Sequence, residues 1–231
     1  MSTELAGHTE RRLTTPRSAA VAGILFAILY GTTQVLVRLA LPESAADSWA
    51  ALATQAPTIG LAISLVPYAG IAFLWFIGVV RDRLGEYEDR LFATVFLGSG
   101  LLYLGLVFVA AALAGGLLTS YNTDPQLLDD PFFSYGRLVM HQITNIYALR
   151  MSGIFMTSFA SMMLRTGVMP RWSAIVTFIL ALILLFSTSL DVWLKLIFPA
   201  WVFMVSLLIL VANYRRSGTR EDYPVPSNQS L

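Results

Sequence analysis

The sequence predicts an all-α, polytopic membrane protein: a bundle of six transmembrane helices with both termini cytoplasmic. Three observations carry this. Apolar residues make up 56% of the 231 and charged residues only 13%, against about 45–50% and about 25% in soluble domains. Six apolar stretches, 18–41, 57–80, 91–119, 138–164, 172–189 and 192–214, fill most of the chain. The basic residues cluster in alternate loops.

Each stretch reaches or approaches the roughly 20 residues that a helix needs to cross a hydrocarbon core of about 30 Å. Unpaired backbone is too costly in lipid, so the spans must be helices. A β-barrel would need alternating segments of about ten residues, and the sequence has none. The first stretch is too long for the apolar part of a cleaved export signal and lacks a small-x-small cleavage site, so it reads as a retained span. Residues 1–17 then form a cytoplasmic tail, 18–214 the transmembrane domain, and 215–231 a disordered cytoplasmic tail containing Pro224 and Pro226.

Loop charge sets the orientation. Arg11, Arg12 and Arg17 precede the first span. Arg81, Arg83 and Arg90 separate the second from the third, Arg165 and Arg171 the fourth from the fifth, and Arg215, Arg216 and Arg220 follow the sixth. The intervening loops carry Glu43 and Asp47, then Asp124, Asp129 and Asp130, then Asp191. Basic loops stay in the cytoplasm, which places both ends there and the chain in the cell membrane. Two outer loops are long enough to hold structure. Residues 44–55, with Trp49 and Leu52 on one side, read as a short helix lying at the interface. Residues 120–136, with Asn122, Asp124, Pro125, Asp129, Asp130 and Pro131, read mostly as turns, with Phe132, Phe133 and Tyr135 dipping back toward lipid.

Within the spans, Ala19, Gly23, Ala27 and Gly31 recur every fourth residue, and Ala111 and Gly115 repeat the spacing. Such faces let another helix approach closely, whether of this chain or of a second copy. The fourth stretch is the most polar. Helical spacing places Tyr147, Arg150, Thr157 and Ser161 near one stripe, and His141 and Asn145 on the next, with Thr144 beside them. An ionisable residue at membrane depth is costly and marks a candidate site, although an arginine one turn inside the boundary can snorkel to the headgroups. None of the 14 Asp and Glu residues lies inside an apolar stretch. The partners left for Arg150 are Gln34, Tyr30, Tyr68, Tyr103, carbonyls freed near Pro67 or Pro199, or an anion such as a lipid phosphate. With Gln34 and Arg38 in the outer third of the first span, and Asp191 and Lys195 at the start of the sixth, polar residues converge on the outward half. The candidate ligand site is therefore Arg150, His141, Asn145, Tyr147, Gln34 and Arg38.

Several chemistries drop out. The chain has no cysteine and two histidines, one of them His8 in the tail. That removes thiolate sites, thiol nucleophiles and haem held by paired imidazoles of one chain. No metal site, catalytic residue or cofactor is assigned, because no zincin, nucleophile-elbow, phosphate-loop or dinucleotide-binding pattern occurs in a usable context. The expectation is a non-enzymatic membrane protein, either an accessory or assembly subunit or a binder of lipid or an apolar small molecule. Its partners would be membrane lipids, a further membrane subunit or a second copy, and not nucleic acid. An outer-leaflet enzyme with His141 as general base is the weaker reading.

The loop after the second stretch reads Gly78-Val79-Val80-Arg81-Asp82-Arg83-Leu84-Gly85. It resembles the Gly-x-x-x-Asp-Arg-x-Gly signature in the second cytoplasmic loop of major facilitator transporters. The basic pair that follows in that family is replaced here by Glu86-Tyr87-Glu88-Asp89. The resemblance implies a transporter or channel built from six-span halves, with Asp82 and Arg83 stabilising a gate. In length, topology and the run from Phe73 to Gly85, the chain also resembles small six-span integral membrane proteins of many bacteria. That likeness implies an inner-membrane architecture and no activity.

Overall fold

The computed structural model describes residues 15–40, 47–84, 90–126, 130–166, 170–186 and 194–221. Their regular structure is helical throughout: α1 (Thr15–Ala40), α2 (Asp47–Leu84), α3 (Arg90–Thr123), α4 (Pro131–Gln142), a π-helical turn (Ile143–Ala148), α5 (Leu149–Thr166), α6 (Arg171–Phe186) and α7 (Leu194–Glu221). Four segments are long and apolar enough to cross a membrane: Ser18–Ala40, Thr54–Arg81, Leu91–Thr123 and Leu194–Val211. They correspond to the first, second, third and sixth apolar stretches. The fifth is represented by α6, whose 16 residues rise about 24 Å; residues 187–189 lie outside the described residues. In the fourth stretch, α5 carries Arg150 near its start and Arg165 in its last turn, which breaks its apolar run.

Both segments expected to hold structure between spans, 44–55 and 120–136, differ from expectation. α2 begins at Asp47 and runs without interruption through Pro57 and Pro67, so the interfacial helix is the first part of the second span's helix. Each proline removes one intrahelical bond, and both are exposed, with their rings clear of neighbouring helices. The side chains of Trp49 and Leu52 lie outside the described residues. In the second loop, α3 continues to Thr123 and α4 already starts at Pro131. The Asp130 carboxylate accepts the Phe132 amide at 2.7 Å, and Pro131 occupies the first helical position, where its missing N–H costs nothing. The Asp-Pro pair is a helix start, not a turn. α7 likewise extends to Glu221, past the point where a disordered tail was expected; residues 222–231 and 1–14 lie outside the described residues.

α1 packs between α2 and α7, α3 packs on α2 and α5, and α6 lies on α5. The small-residue face of α1 serves these internal contacts. A Cβ on Gly23 would collide with Ser206 Oγ of α7 and the Phe76 ring of α2, whereas one on Gly31 would meet nothing within 4 Å. The Thr33 hydroxyl spans the same interface, facing the Leu29 carbonyl at 3.0 Å and the Ala62 carbonyl of α2 at 3.3 Å.

Aromatic rings fill the interior. Phe26 lies 4.7 Å from Phe73, Phe73 5.4 Å from Phe155, and Phe155 4.4 Å from Phe96. Phe198 of α7 adjoins Tyr103 at 4.6 Å, and Trp201 meets Phe159 edge-on at 5.2 Å. Five helices thus meet on one connected set of rings. Offset and edge-on pairs of this kind add about 0.5–1.5 kcal/mol each beyond their buried area. Trp201 also ties in α6, since its Nε1–H donates to Thr177 Oγ1 at 2.9 Å.

Candidate functional site

Next to the aromatic cluster, α1, α3, the π-helical turn, α5 and α7 enclose a polar pocket. Its walls include Tyr30 and Gln34 of α1, Tyr103 of α3, Thr144 of the π-helical turn, Ser152 of α5 and Lys195 of α7, with Phe198 as the floor it shares with the aromatic cluster. The cavity measures about 10 Å³, room for about one water molecule. Tyr30 and Gln34 are buried, and the Tyr30 hydroxyl is hydrogen-bonded to the side chains of Tyr103 and Gln34.

The polarity of the walls follows from where the hydroxyl protons go. Thr144 donates to the Met140 carbonyl at 2.9 Å, and Ser152 to the Leu149 carbonyl at 2.7 Å. Both hydroxyls have therefore spent their protons on their own helix and present lone pairs to other groups. Without an N–H, Pro199 leaves the Lys195 carbonyl, four residues earlier, lacking its helical partner. An acceptor-rich wall suits the half-buried Lys195 ammonium. Among the described residues no carboxylate stands against that ammonium.

Outside the pocket, His141 lies within electrostatic reach of both Arg137 and the pocket's Lys195. The described carboxylate side chains are those of Asp124 and Asp130. Each accepts a backbone amide, from Gln126 at 3.0 Å and Phe132 at 2.7 Å respectively. Asp191 lies outside the described residues.

Of the six residues expected to form a site, Gln34 lines the pocket and the other five do not. His141 and Asn145 pair with each other, the Asn145 amide nitrogen lying 2.7 Å from Nδ1 and 2.8 Å from Nε2. Tyr147 is 58% exposed. Arg150 is half-buried. Arg38, in the last turn of α1, is half-buried and has a partner of its own. For the residues on α5, the π-helical turn that precedes it changes the phase relative to α4. It holds an extra residue per hydrogen-bonded ring, so the helical phase after it slips by roughly one residue. The stripe that a straight α-helix would share among Tyr147, Arg150 and Thr157 is rotated away, and Ala148, Leu149 and Ser152 turn inward instead. Asp82 and Arg83 end α2, with side chains outside the described residues, as is Gly85.

The fold defines an all-helical protein with four membrane-length apolar helices around an aromatic core and a small polar pocket. No protein-family model, curated protein or solved structure matches this chain.

Proposed function

We propose that the chain is a six-span protein of the cell membrane, with both termini cytoplasmic, that binds a membrane lipid without transforming it. In this reading α6 supplies the fifth span and the continuous helix of α4, π-helical turn and α5 the fourth. The pocket then opens toward the outer leaflet. A half-buried lysine entering a pocket of neutral hydroxyls and an amide, with no described carboxylate against it, is the observation that supports this best. Such an arrangement holds a charge that folding alone does not need, and the Thr144 and Ser152 hydroxyls beside it donate to their own helix carbonyls. His141 does not line the pocket, and its ring is engaged by Asn145, so the enzyme reading gains nothing from the geometry. Accessory or assembly roles, in contact with another membrane subunit or a second copy, remain part of the proposal.

The test is lipid content. Protein extracted in mild detergent and washed extensively is expected to retain lipid at a fixed ratio to protein, read by native mass spectrometry; a lipid-free chain contradicts the reading. The absence of native cysteine makes the topology equally accessible. Thr3→Cys and Ser227→Cys should be labelled by an impermeant reagent only after permeabilisation, and Tyr135→Cys in intact cells.

A further inference from the structure

We propose that the mouth of the pocket is a phosphate site selective for anionic phospholipids, held by Lys195 with His141 and Arg137 beside it. The inference rests on the lipid-binding reading and specifies the headgroup.

The inside of the pocket cannot take the phosphate. It has room for about one water, and the oxygens of Thr144 and Ser152 turn lone pairs outward because their protons serve Met140 and Leu149. Those lone pairs repel an anion and favour the ammonium. Lys195 lines the pocket with no carboxylate against it among the described residues, and Arg137 adds its charge close by, one helical turn before His141. A phosphodiester, with one charge spread over two free oxygens, matches such a rim of separate donors.

Its carrier is a lipid because of what surrounds the rim. α4 bears Arg137 and His141 and also exposes Phe132 (78%), Tyr135 (64%) and Leu138 (57%). Exposed aromatic and aliphatic groups beside basic ones suit the boundary between headgroups and acyl chains, and a free phosphate would have no use for them. The headgroup must be anionic, since a zwitterionic lipid brings its own cation into a site that already holds the charges of Lys195 and Arg137.

The experiment uses full-length protein in vesicles of equal phosphatidylglycerol and phosphatidylcholine, followed by headgroup analysis of the lipid that survives detergent extraction. Wild type is expected to be enriched in phosphatidylglycerol. Lys195→Met should lower that enrichment about fivefold, the ratio expected for one basic group at an anionic surface, and Lys195→Arg should largely keep it. Arg165→Gln makes the same charge change at the far end of α5, where the guanidinium lies 4.7 Å from the Phe92 ring centroid, and should keep it too. Retained lipid that mirrors the vesicle mixture would overturn the headgroup assignment and leave lipid binding standing. Absence of retained lipid would remove both. Equal losses in Lys195→Met and Arg165→Gln would reduce the effect to bulk charge and overturn the site. Protection from unfolding by millimolar inorganic phosphate as strong as that by phosphatidylglycerol would reassign the rim to a free anion.

Discussion

The aromatic cluster and the polar pocket share Phe198, Tyr30 and Tyr103, yet they are built on opposite terms. In the cluster every ring meets other rings at 4.4–6.3 Å, and Phe73, Phe96 and Phe155 are fully buried. In the pocket, hydroxyls are turned back onto their own helices, and a half-buried ammonium carries charge that the described side chains do not balance. Packing is complete in one region and chemistry is left open in the other. Helices that form both must therefore satisfy stability with their ring-bearing faces, which frees the pocket residues from that role.

That contrast can be broken by substitution. The largest effect is expected from Phe155→Ala, which strips contacts to Phe73, Phe96, Phe198 and Trp201. It should cost about 3–5 kcal/mol in unfolding measured in detergent, with headgroup preference unchanged in the folded fraction. Gly23→Val forces side-chain atoms into Ser206 and Phe76 and should cost about 1–3 kcal/mol. Gly31→Ala, on the same face with open space around it, should gain a few tenths to about 1 kcal/mol; a loss there would show that the small-residue face continues into an unrecognised contact. Trp201→Phe keeps one aromatic ring, drops the pyrrole half of the indole and removes the bond to Thr177. Its expected cost is about 0.6 kcal/mol, and at most about 1.7 kcal/mol, seen first as loosening of α6.

How much of this was legible depended on which signal the physics uses. The first, second, third and sixth stretches emerge as membrane-length helices because apolar length alone specifies them. The aromatic interior was less visible: Phe73, Phe155 and Phe198 look like any lipid-facing residues in a chain where almost everything is apolar, so hydropathy cannot separate inside from outside. The start of α4 was misread because Asp130-Pro131 serves turns and helix N-termini equally. Arg150 drew attention through its charge, but its orientation depends on a π-helical turn that no residue pattern in Ile143–Ala148 announces. Gln34 stands out in the sequence as a polar residue within an apolar stretch, and the fold sets it beside Tyr30 and Tyr103 in the pocket. Lys195 is visible as a charge at the start of the sixth stretch, but Thr144 and Ser152 are ordinary helix residues in the sequence until the fold brings them to the same pocket.

The separation of the two regions is tested most directly by two readouts on one preparation of Lys195→Met: the unfolding midpoint in lipid-free detergent, and the lipid retained after extraction from membranes. We predict a midpoint equal to or above wild type, because a half-buried charge has been removed, together with loss of retained anionic lipid. A lowered midpoint with lipid retained as in wild type would make Lys195 a structural residue and contradict the account.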